Sequence, residues 1–174
     1  MKRILGSLMI IAVVAASITG GAMALFTDQE TSAGNTFTAG TIDLALTNGS
    51  PLPFSVSAMA PGDNVTGTLD VDNSGTLDLR YAMTTTGDGS SILDEQLDLE
   101  IKQGATTLYS GKLSSGAIGD PTQGAQAGDR ALSASGSETL TFIVSMPLST
   151  DNSYQGLTCT VAFVFDAEQT DNNP

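Results

Sequence analysis

The chain has 174 residues, enough for one domain with a short targeting segment. Asp and Glu number 19 against 6 Lys and Arg, so the formal net charge is −13, and a polyanion such as nucleic acid would be repelled. The sequence has no His and one Cys, Cys159, which excludes a His-based catalytic triad, an H-E-x-x-H zinc site and an internal disulfide.

The first 24 residues have the pattern of a secretory signal peptide. Lys2 and Arg3 form a basic start, an apolar stretch follows, and Ala22-Met23-Ala24 supplies the small residues of a cleavage site. The apolar stretch of about 15 residues is shorter than the roughly 20 that a membrane-spanning helix requires. We therefore predict cleavage between Ala24 and Leu25, with a retained anchor as the alternative. The mature chain would be secreted and would touch the membrane only transiently, through its signal peptide.

Residues 25–40 predict an extended N-terminal arm. Leu25 and Phe26 begin it, and the residues that follow are mostly polar. The alternation of apolar and polar residues changes phase at Ala39-Gly40, which predicts a bulge or a sharp bend there. The arm would lead into the first strand.

From residue 41 onward, apolar and polar residues alternate, as in strands with one buried and one solvated face. Predicted strands lie at 42–46, 65–71, 77–83, 97–101, 140–146 and 157–165. Asn73-Ser74-Gly75 predicts a tight hairpin, and residues 113–137 predict a long loop with one short helical turn. The pattern as a whole predicts an all-β antiparallel sandwich of about seven to nine strands over residues 41–168, with a flexible tail at 169–174.

Residues 70–75 match the opening of an EF-hand calcium loop. Tyr81 stands where the bidentate Glu of that loop should be, and strand alternation continues on both sides of the segment. We interpret it as a turn with surface acids. Weak calcium binding among surface aspartates stays open.

Other acidic and nucleophilic residues also fit structural roles. Asp94, Glu95, Asp98 and Glu100 could be paired carboxylates, but the aromatic residues of a sugar site are missing, so we interpret them as a solvated acidic face. Cys159 has the inward phase and no His to activate it, which predicts a buried, inert thiol. No catalytic, metal-ligating or cofactor-binding residue is predicted, and we expect no cofactor.

Several segments resemble one protein family, over residues 20–169. Residues 24–32 and 35–44 closely resemble the mature start of the TasA and camelysin (CalY) family of secreted biofilm-matrix fibre proteins, whose common form is A-x-F-x-D-x-E-x-S-x-x-N-x-F-x-A-G-T-[IL]-D-L. Further similarities lie at Ala60-Pro61-Gly62-Asp63, at residues 73–77, at residues 152–156 and at residues 165–169.

The resemblance implies a secreted jelly-roll subunit of extracellular fibres in a biofilm matrix or at the cell surface, and the residues themselves predict no enzyme, since the chain has no His. A signal peptidase of the SipW type would process it. Subunits would join by donor-strand complementation, with a strand supplied by the arm residues Leu25, Phe26, Thr27, Asp28, Gln29, Glu30 and Thr31. The expected partners are other copies of this chain and other matrix proteins.

Two other functions stay open. One is a secreted or surface-attached β-sandwich adhesion domain that does not polymerise. The other is a secreted metallo-endopeptidase, the activity by which camelysins have been classed. The lack of His argues against the second.

Overall fold

The computed structural model describes residues 38–50, 59–87, 89 and 92–170, without the side chains of residues 48–50. Nearly all of them lie in the unit Ala39–Pro174. The predicted signal peptide, the arm residues 25–37 and the end of the tail lie outside the described residues. Within the described part of the chain, no helix has the length and apolar character needed to cross a membrane.

The described residues contain nine strands, in agreement with the predicted all-β class. Their bounds are β1 Leu44–Ser50, β2 Asn64–Asn73, β3 Leu79–Gly87, β4 Asp98–Gln103, β5 Thr106–Lys112, β6 Ala117–Ile118, β7 Arg130–Leu132, β8 Ser137–Ser145 and β9 Val161–Gln169. A one-turn helix, Leu93–Gln96, and two 3₁₀ turns, Leu113–Ser115 and Asn152–Tyr154, lie between strands.

The strands form two antiparallel sheets. Sheet A has the order β1-β2-β8-β4-β5. In sheet B, β3 pairs with β9 along its whole length and with the short strands β7 and β6 along its other edge. The two sheets enclose one core, as the alternation of apolar residues predicts.

Inward-facing side chains of both sheets make the core. Val71, Met83, Ile101 and Phe142 are completely buried. Phe163 of β9 lies edge-on to Phe142 of β8, with ring centroids 4.9 Å apart. This contact places β9 over β8.

The six predicted strands are confirmed with shifted ends, whereas β5, β6 and β7 were not predicted. The 3₁₀ turn Leu113–Ser115 confirms the helical turn expected within residues 113–137. The predicted strand 157–165 wrongly includes Leu157, which precedes β9 and is exposed. The jelly-roll arrangement stays a prediction.

The predicted hairpin at Asn73-Ser74-Gly75 is also wrong, because β2 and β3 belong to different sheets. The segment is a corner that carries the chain from sheet A to sheet B. The buried Asn73 amide donates hydrogen bonds to the carbonyl oxygens of Leu77 (2.8 Å) and Ser133 (3.0 Å), and its Oδ1 accepts one from the Gly75 N–H (3.0 Å). Since a buried amide needs partners, these bonds fix the corner.

The entry segment, residues 39–43, packs directly on this corner. The Thr41 carbonyl accepts hydrogen bonds from the N–H groups of Thr76 (2.8 Å) and Leu77 (3.1 Å). A Cβ on Gly75 would lie 2.4 Å from the Thr41 carbonyl oxygen, so only glycine allows the approach. Two of the segments that carry the family resemblance are therefore in contact.

The two ends of the sandwich differ. The proximal end, where the chain enters at Thr38, consists of residues 39–43, 73–78 and 133–136. Among the described residues, the distal end includes residues 60–63, 92–97 and 146–160, which lie at the opposite ends of the strands. At the distal end Ala60-Pro61-Gly62-Asp63 forms the predicted turn, closed by a hydrogen bond from the Asp63 N–H to the Ala60 carbonyl.

Candidate assembly site

The sheets end in strands of very different character. β6 and β7 are short, and β5 is largely polar and has an irregular register with β4. The register of β1 with β2 is also irregular. β9 has 9 residues in regular register with β3, and its residues 161–165 are apolar. Short strands, bulges and charged residues discourage strand addition, so β9 is the terminal strand best suited to receive another strand.

One apolar side chain on the inner face of sheet A is exposed. Leu46 of β1 is opposite Val71 of β2 in the sheet, so both side chains point to the inner face of sheet A. Val71 is fully buried, but Leu46 is 46% exposed. Sheet B thus covers the inner face of β2 more completely than that of β1.

Sheet topology joins these two features into one site. In the described part of the chain, sheet B ends at β9, which lies over β8, whereas sheet A continues beyond β8 through β2 to β1. Among the described strands, the outer edge of β9 and the inner face of β1, with Leu44 and Leu46, therefore lie on the same side of β8. We call the space between this edge and this face the β9 groove.

A charged cluster between the sheets connects β9 to sheet A through Tyr81. Glu138 of β8 accepts a hydrogen bond from the Tyr81 hydroxyl (2.6 Å) and forms an ion pair with Arg130 of β7 (2.5 Å). Burial and contact with Glu138 raise the pKa of Tyr81 far above its ordinary value, and the hydrogen bond to Glu138 raises the pKa of Arg130. The Tyr81 ring also contacts Phe165 of β9, so the cluster ties β9 to sheet A.

The outer face of β9 is acidic and partly covered. Glu168 pairs with Arg80 of β3 (2.5 Å) and accepts a hydrogen bond from the Gly124 N–H (3.0 Å) in the connection between β6 and β7. A cleft of about 200 Å³ lies between this connection and the sheet, lined by Asp120, Asp166 and others. The connection is therefore an ordered cover over sheet B.

The acidic residues considered for catalysis do not meet in one site. Asp98 pairs with Lys112 (2.7 Å), and Glu100 pairs with Lys102 (3.0 Å), which holds the pKa of Glu100 below its ordinary value. The solvated face predicted for all four residues is wrong for Asp94, which is buried beside Gly87. A general acid needs a raised pKa, and Glu100 has the opposite shift.

The segment that resembles an EF-hand opening does not form a calcium loop. Asp70 and Asp72 lie on the outer face of β2, where they accept hydrogen bonds from the Thr139 and Thr47 hydroxyls. The described residues contain no group of three or more His, Cys, Asp or Glu side chains arranged to hold a metal ion. Cys159 is half-buried against the core rather than fully buried.

The residues predicted as functional all lie outside the described part of the chain. These are the cleavage pair Ala24 and Leu25 and the arm residues Phe26, Thr27, Asp28, Gln29, Glu30 and Thr31. The β9 groove was not identified from the sequence. The apolar run at residues 161–165 was its one signal in the sequence, but such a run also suits a central strand.

Comparison with known proteins supplies a family. A family model described as camelysin metallo-endopeptidase matches residues 1–98. No curated protein matches the chain. Among solved structures, the chain is similar to AvmM, which catalyses macrocyclization in alchivemycin A biosynthesis, with 11% identity and a TM-score of 0.34 over 72% of this chain and 88% of that chain. It is also similar to the PapD-like domain 7 of human CEP192, with 11% identity and a TM-score of 0.30 over 81% of this chain and 96% of that chain.

Proposed function

The chain belongs to the camelysin family, and from this premise we propose that it is a secreted structural subunit of extracellular fibres. The arm of one copy, residues 25–35, lies in the β9 groove of the next copy and adds a strand to its sheet B. No enzymatic step is needed, because strand addition supplies main-chain hydrogen bonds and pockets for alternate side chains.

The character of β9 and of the opening beside it carries this proposal. In the described part of the chain β9 is the last strand of sheet B, and it is long, regular and apolar over residues 161–165. Leu46 on the facing inner surface is 46% exposed. An added strand would cover Leu46 and extend sheet B over β1, so that the two sheets match in width.

The arm sequence suits the role of donor. Residues 25–37 contain no Pro, and Leu25 and Phe26 supply apolar side chains at the mature N-terminus. A strand must donate and accept hydrogen bonds along its length, which Pro would interrupt. We expect Edman sequencing of the exported protein to begin at Leu25 or Phe26, and a start at Met1 would contradict the processed arm.

Deletion of residues 25–34 from the mature protein tests the proposal. We expect the truncated protein to be a soluble, β-rich monomer that forms no fibres in electron microscopy. A synthetic peptide of residues 25–35 should bind this domain and raise its melting temperature, whereas the same peptide with Leu25→Ser and Phe26→Ser should bind more weakly. Deletion of residues 171–174 serves as the control and should leave assembly unchanged.

Two results would replace the proposal with another function. If the complete mature protein stays monomeric at every concentration, the adhesion domain is favoured. The description of the family as a metallo-endopeptidase favours the other alternative, and casein cleavage that a chelator abolishes would support it. Fibres formed by the truncated protein would show that the arm is not the joint.

A further inference from the structure

The distal end of the sandwich presents apolar side chains to solvent. Ile92 is 53% exposed, Leu148 is 84% exposed and Leu157 is 40% exposed. The three residues lie in connections between strands at this one end. We call them the distal patch.

Leu148 is exposed on an ordered turn rather than on a loose loop. The Thr150 N–H donates a hydrogen bond to the Pro147 carbonyl (3.0 Å), and the buried Thr150 hydroxyl accepts one from the Gln96 side chain (2.8 Å). The Leu148 side chain lies over Gly62, where a Cβ would come within 2.9 Å of its Cδ2. The fold therefore holds this apolar side chain in water, and a large exposed apolar group on a rigid support is typical of a contact surface.

The length of the arm limits how far apart two joined subunits can be. Thr38 is at the proximal end, and the 13 residues from 25 to 37 can span at most about 43 Å at roughly 3.3 Å per residue. The 11 residues 25–35 that are proposed to lie in the groove use about 36 Å of this span. About 7 Å remain for the crossing, so the proximal end of one subunit must lie almost against its neighbour.

Whether two copies form a closed dimer or an open fibre depends on the end of the neighbour from which the arm enters. If the arm enters the neighbour from its proximal end, the two copies can exchange arms reciprocally and form a closed dimer. If the arm enters from the distal end, each copy stands in the same relation to the next, and the chain of contacts stays open as a fibre requires.

We propose that the distal patch of each subunit binds the proximal end of a second copy of this chain, next to the exposed Ile42 (39%). This inference rests on the proposed fibre function and adds a second contact to the joint. Burial of apolar surface at this contact helps to offset the electrostatic repulsion between these acidic subunits. It also fixes the direction of the fibre, because the arm alone would allow closed dimers.

Leu148→Asp tests the contact, with Thr68→Asp as the matched control. Both substitutions add one negative charge at an exposed position, and Thr68 lies on the outer face near the middle of β2. We expect Leu148→Asp to raise the critical concentration for fibre formation by roughly tenfold or more, from the loss of one buried leucine. The control should assemble like the natural protein, and both variants should keep its melting temperature. Equal critical concentrations for the two variants would overturn the proposal.

Cross-linking gives a second measurement that does not depend on assembly strength. In a Cys159→Ser background, a chain with Ile42→Cys is mixed with a chain carrying Leu148→Cys or Leu157→Cys, and the fibres are oxidised. We expect disulfide-linked dimers on a non-reducing gel, and none when Thr68→Cys replaces the distal cysteine. Fibres that give no linked dimers with either distal cysteine would show that the distal patch does not meet the proximal end.

The peptide of residues 25–35 separates this inference from the proposed function. If the peptide binds the truncated domain while Leu148→Asp has no effect, the fibre function stands and the distal contact is wrong. If the peptide does not bind and the natural protein forms no fibres, the proposed function itself has failed.

Discussion

Removal of the Glu138 side chain should destabilise the sandwich, because Glu138 is the buried acceptor between the two sheets. It is 6% exposed and binds both the Tyr81 hydroxyl and the Arg130 guanidinium. Glu138→Ala would leave a buried hydroxyl and a largely buried cation without their acceptor. Removing one member of a buried ion pair costs about 3–5 kcal/mol. Since Arg130 is 26% exposed and can gain some hydration, we expect a loss of about 3 kcal/mol in the free energy of unfolding.

Urea unfolding of the mature protein measures this loss in free energy. In thermal unfolding, the same loss should lower the melting temperature by about 6–12 °C, at roughly 2–4 °C per kcal/mol. Asp98→Ala is the matched control, because Asp98 is also paired with a cation but both side chains are about half exposed; it should cost less than about 1 kcal/mol. Equal losses for the two variants would refute the view that the buried cluster ties the sheets together.

Alkaline pH gives an independent test of the same cluster. The raised pKa of Tyr81 means that the folded protein keeps a proton that the unfolded chain loses above pH of about 10. Its contribution to stability is therefore complete below pH 10 and falls above it, by about 1.4 kcal/mol per pH unit. Tyr81→Phe should remove this part of the decline, and Tyr109, whose pKa burial also raises, leaves a smaller one. Identical pH dependence in both proteins would contradict this assignment.

Two further predictions concern the corner and the charge. Gly75→Ala should lower the free energy of unfolding in urea by about 1–3 kcal/mol, because the new Cβ meets the backbone of the entry segment. Its control, Gly104→Asn, lies at a turn with open space and positive φ and should lower the free energy of unfolding by less than about 1 kcal/mol. A smaller loss for Gly75→Ala than for Gly104→Asn would contradict the close packing at the corner. Fibre assembly, followed by light scattering, should become faster at raised salt or acid pH, because subunits with a large negative charge repel each other over about 10 Å at 0.1 M salt. An assembly rate that does not change from pH 4 to 8 and across roughly 0.01–0.5 M salt would show that charge repulsion does not control assembly.

The alternation of apolar and polar residues predicted the strands that lie deep in the sandwich. Leu69, Leu99 and Phe142 are buried where the pattern places them. Strands without such a pattern were missed, as in the polar β5 and in β6 and β7, which are 2 and 3 residues long. These strands form because β4 and β3 offer them main-chain partners, which is a property of the neighbours.

The candidate site shows the same division. The sequence predicted the arm, a bulge or bend at Ala39-Gly40 and a tight turn at Asn73-Ser74-Gly75. It assigned this turn to a hairpin, since a local pattern does not reveal that the strands on either side enter different sheets. The buried Asn73 amide, which bonds to the distant Ser133 carbonyl, makes the corner.

The sequence by itself determined which residues can form strands and which face of each strand is apolar, because both follow from interactions within a few residues. The tertiary structure alone decided that β9 is the last strand of sheet B among the described residues, that Leu46 on an apolar face is half exposed, and that Tyr81, Glu138 and Arg130 meet between the sheets. A period of two fixes the side of a sheet to which a residue points but not the strand that lies beside it. Whether a strand is central or terminal depends on pairing between distant parts of the chain.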